Sequence, residues 1–230
     1  MLKIGITGMS AGNAHPYSWS SIINGKYDGE EITKTGYPAV AAYLDANKDT
    51  LGIKGVSVTH VWTQDINISK SIAASSGIAH AVENTEDMIG HIDAVILARD
   101  DAEFHASMAK PFIDAGVPIF IDKPLAINRV DLEWFEQQHT AGKFIMSCSS
   151  MRYANECRII KQDIASLGKL ELVTAVGKKD WLKYGVHMLE AIVATLDDPA
   201  ISSVQHIGEK GKDVVHIVFE NGLPVTIHLF

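Results

Sequence analysis

Cysteines and long apolar runs are both scarce in this sequence. Only two cysteines occur among 230 residues, Cys148 and Cys157. They support neither a disulfide framework nor a paired-cysteine zinc site. No apolar run approaches the roughly 18 residues that a membrane-spanning helix needs, and the first residues lack the form of a signal peptide. We therefore expect a protein of a reducing compartment, the cytoplasm, with no membrane partner.

Positive charge is also in short supply. Lysine and arginine total 20 against 28 acidic residues, and the formal net charge is −8, which disfavours nucleic acid as a partner. Hydrophobic residues make up 47% and charged residues 21%, a globular mix that argues against disorder. The length is sufficient for one full domain and a smaller one.

The first candidate site follows a predicted strand at 2–7. A glycine-bearing turn there leads into a helix, and such a turn lets a pyrophosphate approach the backbone and lie at the helix N-terminus. The G-x-G-x-x-G pattern is not intact, because Ser10 and Asn13 hold its second and third positions. A purely structural turn is the alternative interpretation. The candidate cofactor-binding residues of this turn are Gly8, Met9, Ser10, Ala11, Gly12 and Asn13.

A polar, turn-rich segment at 25–55 follows, which we interpret as a surface insertion near the ligand cleft. The next strand, predicted at 56–62, is soon followed by Asp65. An acid at this point of a dinucleotide fold bonds the ribose hydroxyls of NAD and repels the 2′-phosphate of NADP. A carboxylate that caps the following helix is an equally good interpretation of Asp65.

Two apolar runs, at 93–98 and 119–121, predict buried parallel strands. Polar residues follow each run, with Arg99 and Asp100 after the first and Asp122-Lys123-Pro124 after the second. Pro124 cannot donate to a sheet ladder, so the second strand ends before it. The carboxyl ends of parallel strands form the binding edge of open α/β sheets, which makes Lys123 a candidate catalytic residue. The alternative is a solvated loop lysine.

The order of elements predicts an α/β fold. Strands and helices alternate over 1–148, which is typical of a doubly wound parallel sheet. Helices and then alternating runs follow, with Asn221-Gly222 as a hairpin signal, so we expect a smaller α+β domain with an antiparallel sheet. We place a dinucleotide-binding Rossmann domain at 1–125 and a shortened substrate and oligomerisation domain at 126–230. The run at 224–230 would be an open sheet edge through which a homo-oligomer forms.

A second constellation lies at 180–190. His187 and Glu190 are three residues apart and share one helix face, and histidine exchanges protons near neutral pH. A satisfied helical histidine beside a solvated acid is the plain alternative. A metal would need a further ligand at suitable spacing, so we expect no metal. Trp181 and Tyr184 either stack on a sugar-like ligand or pack in the core.

The strand with its glycine turn, the Asp122-Lys123-Pro124 segment and the later Gly185-Val186-His187-Met188-Leu189-Glu190 occur in an order and at a spacing that resemble the Gfo/Idh/MocA family. The resemblance implies an N-terminal Rossmann domain that binds NAD or NADP. It also implies a small-molecule substrate, a sugar, cyclitol or related compound, of which a hydroxyl or keto carbon is oxidised or reduced.

The resemblance also implies roles for single residues. Lys123 matches the lysine that binds the reacting oxygen and helps move its proton, and His187 matches the histidine that contacts the substrate hydroxyl. Glu190 stands where the family usually has aspartate. The remaining cofactor-binding residues implied are Ala98, Arg99, Asp100, His105, Asp122, Lys123 and Pro124. The remaining substrate-binding residues implied are Asp180, Trp181, Lys183, Tyr184 and Glu190.

We therefore predict an NAD(P)-dependent oxidoreductase, with NAD preferred because of Asp65. The altered glycine turn and the short second domain favour an alternative, a catalytically inactive ligand- or partner-binding protein on the same scaffold. A third hypothesis is an assembly subunit that pairs through the strand at 224–230.

Overall fold

The computed structural model describes residues 1–209 and 211–230. They form two compact units, Met1–Ser147 and Cys148–Phe230. The boundary lies later than the 125/126 division expected from the sequence, because a helix and a strand beyond residue 125 complete the parallel sheet of the first unit.

The first unit is built on a six-stranded parallel sheet in the order β3-β2-β1-β4-β5-β6. Its strands are β1 (Leu2–Thr7), β2 (Val56–Trp62), β3 (His80–Ala81), β4 (Ala94–Leu97), β5 (Ile119–Ile121) and β6 (Ile145–Met146). Its helices are α1 (His15–Asn24), α2 (Gly29–Lys34), α3 (Pro38–Ala46), α4 (Ile66–Ser76), α5 (His105–Asp114) and α6 (Arg129–Thr140). The doubly wound sheet predicted from the sequence is confirmed, and the strand order reverses between β1 and β4.

Both faces of this sheet are buried, which explains the apolar strands. One face contributes Ile4 and Ile6 to a cluster with Tyr17, whereas the other contributes Val95 and Leu97 to a cluster with Phe112. Opposite side-chain directions along each strand produce this division. The sheet is thus fixed from both sides, and its carboxyl edge carries the loops of the first candidate site.

The insertion at 25–55 differs from the surface excursion expected for it. It folds into α2 and α3, and Ile32 and Leu44 are fully buried in the same cluster as Tyr17. Helix α2 begins where Asp28 accepts a hydrogen bond from the Glu31 backbone N–H at 3.0 Å. The spacing Asp-x-x-Glu is the sequence signal for that cap, and the polar character of the segment obscured it.

The second unit is a helix-covered, four-stranded sheet in the order β7-β10-β9-β8. Its strands are β7 (Val173–Gly177), β8 (Ile201–His206), β9 (Asp213–Phe219) and β10 (Pro224–Leu229). Its α-helices are α7 (Asn155–Asp163) and α8 (Val186–Thr195), with a 3-10 turn at Ser150–Tyr153 and a π-helical turn at Trp181–Gly185. The predicted hairpin at Asn221-Gly222 joins β9 to β10.

The expectation of an open edge at 224–230 is wrong. Strand β10 pairs with β9 on one side, antiparallel, and with β7 on the other, parallel. The edge strands of this sheet are therefore β7 and β8. A parallel partner that lies far back in the sequence gives no local signal, so the sequence pattern alone placed β10 at the edge.

Candidate functional site

The turn after β1 is fixed by a side chain from the end of β2. Gln64 accepts a hydrogen bond from the Met9 backbone N–H at 2.8 Å and donates one to the Met9 carbonyl at 2.6 Å. Gly12 follows with φ of 76°, and a Cβ added there would meet no atom within 4 Å. The turn is thus held firmly at Met9 and opens to free space at Gly12, while Gly8 is buried and Ala11 is exposed.

Ser10 links this turn to the end of β4. The buried Ser10 hydroxyl donates to Asp100 Oδ1 at 2.5 Å, and the Asp100 backbone N–H donates back to Ser10 Oγ at 3.2 Å. The side chain that departs from the glycine pattern is therefore a connector between two strand ends. Ala98, at the end of β4, is buried beside them.

Asp122 lies at the end of β5 and is 2% exposed. Its Oδ2 contacts His15 Nδ1 at 2.6 Å and accepts from Asn13 Nδ2 at 3.2 Å. Its Oδ1 accepts the backbone N–H of Lys123 at 2.8 Å. A buried carboxylate needs such partners, and here they come from the glycine turn and from the candidate catalytic lysine itself. Asp122 therefore joins the cofactor turn to the segment that carries the half-buried Lys123 and Pro124.

His105 connects two loops at the same carboxyl edge of the sheet. It is fully buried, with Nε2 3.0 Å from the Arg99 carbonyl and Nδ1 3.1 Å from the Leu125 carbonyl. It thereby ties the loop after β4 to the loop after β5. The Arg99 guanidinium is paired with Asp101 and lies 5.1 Å from the Phe104 ring centre. A direct contact of either residue with a cofactor remains a prediction.

Asp65 caps a helix, as the second interpretation of this residue predicted. Its Oδ1 accepts the backbone N–H of Asn67 at 2.8 Å at the start of α4. The strand before it ends at Trp62, and Gln64 rather than Asp65 reaches the glycine turn. A contact of Asp65 with ribose remains a prediction.

In the second unit, His187 lies near the start of α8 against the turn at Ser150–Tyr153. Its Nδ1 is 2.6 Å from the hydroxyl of Ser149, a residue that is 1% exposed. The Tyr184 ring lies 5.5 Å from the imidazole, centre to centre, and is contacted by the Lys179 ammonium. The imidazole is thus held by a buried hydroxyl and an aromatic ring.

Glu190 faces the same turn and pairs with Arg152. The Arg152 Nε donates to Glu190 Oε2 at 2.5 Å, and its two terminal nitrogens donate to Asp198 at 2.9 and 2.6 Å. The hydrogen bond to Asp198, and then that to Glu190, raise the pKa of Arg152, and the hydrogen bond from Arg152 lowers the pKa of Asp198. Burial, and then the Glu190 charge, raise the pKa of the nearby Cys148 thiol. Glu190 is therefore an anchor for Arg152, and its predicted contact with substrate remains a prediction.

The other predicted substrate residues lie on the π-helical turn before α8. Asp180 begins this turn by accepting the backbone N–H of Lys183 at 3.0 Å, and the Trp181 backbone N–H donates to Asp213 at 3.2 Å. The Trp181 ring packs against Gly185, so its described contacts are those of packing.

The structure gathers the first-unit residues of the turn, of β4 and of β5 into one hydrogen-bonded edge, and it gathers His187 and Glu190 against one turn. Lys123 belongs to the first unit and His187 to the second. Sequence reasoning missed the residues that hold these groups in place: Gln64, His15, Ser149 and Arg152. His15 offered one signal, since it stands at the first position of the helix that follows the glycine turn.

Two features are absent from residues 1–209 and 211–230, a cluster of metal ligands and a membrane-spanning helix. No cluster of three or more histidine, cysteine, aspartate or glutamate side chains is arranged to hold a metal ion. Within the same residues, no helix is both long enough and apolar enough to cross a membrane. Cys148 and Cys157 are free thiols.

Residues 32–142 match the Gfo/Idh/MocA family model, described as an oxidoreductase family with an NAD-binding Rossmann fold. A curated relative, Inositol 2-dehydrogenase 1 of Saccharopolyspora erythraea, is 30% identical over an alignment of 138 residues that covers 55% of this chain and 40% of that protein. The matched part is thus less than half of that relative.

Solved structures share the fold. A probable dehydrogenase from Thermotoga maritima has a TM-score of 0.74 at 14% identity, covering 99% of this chain and 68% of that one. The scyllo-inositol dehydrogenase of Lactobacillus casei, solved with bound NAD(H) and scyllo-inositol, has a TM-score of 0.72 at 16% identity, covering 99% and 69%. The matching family model, the relative and the shared fold agree with the motif order, and they support the resemblance of this chain to the Gfo/Idh/MocA oxidoreductase family.

Proposed function

We propose that this chain is an NAD-dependent oxidoreductase that transfers a hydride between nicotinamide and a hydroxyl or keto carbon of a cyclitol- or sugar-like substrate. One observation carries the proposal. At the point where the strand order reverses, the ends of β1, β4 and β5 are joined by Ser10–Asp100 and Asn13–Asp122 hydrogen bonds, with Lys123 beside them. Open α/β sheets bind their ligands at such a reversal point.

The glycine turn fits a dinucleotide at one end. Gly12 is exposed and has open space around it, and the helix N-terminus follows at His15. A pyrophosphate placed there would lie at the positive end of the helix dipole, beside a His15 backbone N–H that donates to Asn13 Oδ1 at 2.7 Å. We assign the nucleotide to the first unit and the substrate to the second. NAD is favoured over NADP by the family description and by the NAD(H) bound in the Lactobacillus casei enzyme.

When bound, the nicotinamide would accept or donate the hydride. The protein must then hold the reacting oxygen and move its proton. The Lys123 ammonium can stabilise the charge that develops on an alkoxide, and its backbone is fixed by Asp122. His187 can exchange a proton with the substrate hydroxyl. The inositol substrates of the relatives make a cyclitol the first candidate.

Titration with NADH, followed by fluorescence, tests the cofactor site directly. The variant Gly12→Asp places a negative charge where the pyrophosphate would lie and should weaken NADH binding at least about tenfold. Gly142→Asp is the matched control, since Gly142 also has a positive φ (84°) and open space around it but lies after α6. Both variants carry the same backbone strain, so only a charge at the site separates them.

Lys123→Ala tests the chemistry. It should abolish NAD-dependent oxidation of myo-inositol or scyllo-inositol, measured at 340 nm, and should weaken NADH binding far less than it lowers activity. Absence of NADH binding at about millimolar concentration, the weak limit for specific ligands, would refute the dehydrogenase proposal.

A specific observation also favours the second candidate, a non-catalytic ligand- or partner-binding protein. The Met9 backbone N–H is taken by Gln64, and the Ser10 side chain occupies the place of a glycine. Both features remove room or donors that a pyrophosphate uses. Failure to bind NADH or NADPH, with retained binding of a cyclitol measured by calorimetry, would select this candidate.

A further inference from the structure

Ser149 is a buried hydroxyl placed against the candidate catalytic histidine. Its side chain is 1% exposed, and its Oγ lies 2.6 Å from His187 Nδ1. The same oxygen accepts the backbone N–H of Met151 at 3.1 Å, at the start of the Ser150–Tyr153 turn. Both residues belong to the second unit.

The hydrogen count of a hydroxyl decides the direction of the bond to His187. A serine hydroxyl has one hydrogen to donate and two lone pairs to accept with. One lone pair receives the Met151 N–H. If His187 Nδ1 carried a proton, Ser149 Oγ would accept both described hydrogen bonds. Its own buried hydrogen could then bond to neither His187 nor Met151. If Nδ1 is the acceptor, Ser149 donates its hydrogen to His187 and accepts the Met151 N–H, so both described contacts are hydrogen bonds.

We infer that Ser149 is a positioning residue that fixes the orientation of the His187 ring and the tautomer with its proton on Nε2. The functional part of this inference rests on the proposed role of His187. The tautomer makes Nε2 a hydrogen-bond donor, which suits a histidine that binds a carbonyl or hydroxyl oxygen of the substrate through that nitrogen.

Further contacts between the Ser150–Tyr153 turn and α8 make the Ser149–His187 hydrogen bond rigid. Three residues further along the helix, Glu190 is held to Arg152 of the same turn, and Arg152 also pairs with Asp198 beyond the helix end. The turn and the helix are therefore fixed at several points, and the Ser149–His187 bond lies within a fixed frame. A hydroxyl on a mobile loop would not hold one ring tautomer.

Long-range ¹H–¹⁵N correlation NMR of the ¹⁵N-histidine-labelled full chain tests the inference. Spectra at about pH 8.5, above the usual histidine range, report which ring nitrogen carries the proton. His187→Gln assigns the signal. Unmodified protein should show a protonated Nε2 and an unprotonated Nδ1, and Ser149→Ala should shift the His187 signals towards a mixture of tautomers. Ser150→Ala, an exposed serine one position on, should leave them unchanged.

A protonated Nδ1 in the unmodified protein would overturn the inference, and so would an unchanged His187 spectrum in a folded Ser149→Ala variant. Should that variant fail to fold, the unmodified spectrum and Ser149→Thr, which keeps the hydroxyl and should keep the tautomer, decide the matter.

Kinetics separate this inference from the proposed function. If the protein oxidises myo-inositol, Ser149→Ala should lower kcat about fivefold, the effect of one neutral hydrogen bond, with a smaller change in KM. An unchanged kcat would overturn the positioning role. If unmodified protein neither binds NADH nor oxidises myo-inositol, the proposed function fails, and the NMR result still stands or falls by itself.

Discussion

Replacing Arg152 with methionine should loosen α8 without exposing much apolar surface. Methionine keeps the aliphatic length of arginine and removes its guanidinium. The change breaks the hydrogen bond to Glu190 and the paired bonds to Asp198. Glu190 then keeps a carboxylate whose side chain is only 16% exposed and which lies near the Cys148 thiol. The helix that carries His187 loses its main ionic tie to the Ser150–Tyr153 turn.

The hydrogen bonds of Arg152 to Glu190 and to Asp198 contribute unequally to the stability of α8. The bond to Glu190 is charge-assisted and mostly shielded from water, which suggests about 1.5 kcal/mol. The Asp198 side chain is 57% exposed, so solvent screening reduces that arm to about 0.5 kcal/mol despite its paired geometry. The free energy for opening α8 should therefore fall by about 2 kcal/mol, which is about a 30-fold rise in the open population.

Hydrogen exchange with mass spectrometry measures this opening directly. Peptides from α8 should exchange about 30-fold faster in Arg152→Met, while peptides from β4 serve as the internal reference. Lys161→Met is the matched control, because its pair with Asp197 is exposed and should contribute less than about 0.5 kcal/mol. A change in α8 no larger than that of the control would refute the reasoning and assign Arg152 to the solvated surface.

Two further predictions concern the first unit. His60 is buried and stacks on His80 at 4.6 Å, and burial first, then the charges of His80, His91 and Lys3, lower its pKa from 6.5. The unfolded chain therefore binds more protons below pH 6.5, so the free energy of unfolding should fall as the pH drops below that value. Urea unfolding at a series of pH values should show a weaker acid dependence in His60→Phe, and an unweakened one would contradict the account. Asp122→Asn should lower the stability of the unit by about 2 kcal/mol, because an amide cannot accept from Asn13, His15 and the Lys123 N–H together; a urea midpoint equal to that of the exposed Asp114→Asn would contradict it.

The parallel sheet could be predicted because each strand carries its own evidence. The runs at β4 and β5 are apolar and short, and Pro124 ends one of them. The hairpin between β9 and β10 could be predicted from Asn221-Gly222. The place of β10 inside its sheet could not be predicted, since its pairing with β7 joins residues about fifty positions apart with no turn signal between them.

The residues of the candidate site could likewise be predicted only where a local sequence pattern marks them. Lys123 and His187 could be named from the sequence because their neighbours form recognisable patterns. The residues that hold them in place could not, because Gln64 reaches Met9 and Asp122 reaches Asn13 across 55 and 109 positions. Asp65 shows the limit most clearly. Its spacing suited a ribose contact and a helix cap equally, and only the backbone of α4 showed that it caps.

The altered glycine turn has a structural reason that bears on the choice between catalysis and binding. A side chain at Ser10 would only reduce the room for a cofactor if it did nothing but fill the space of a glycine. Here it donates to Asp100 and accepts from the Asp100 backbone, while Asn13 reaches Asp122 and so touches the residue that holds the Lys123 backbone. Each departure from the pattern therefore connects the turn to the ends of β4 or β5. A turn that had merely lost its ligand would have no need of bonds that lead to Lys123, and this favours the catalytic proposal over the inactive scaffold.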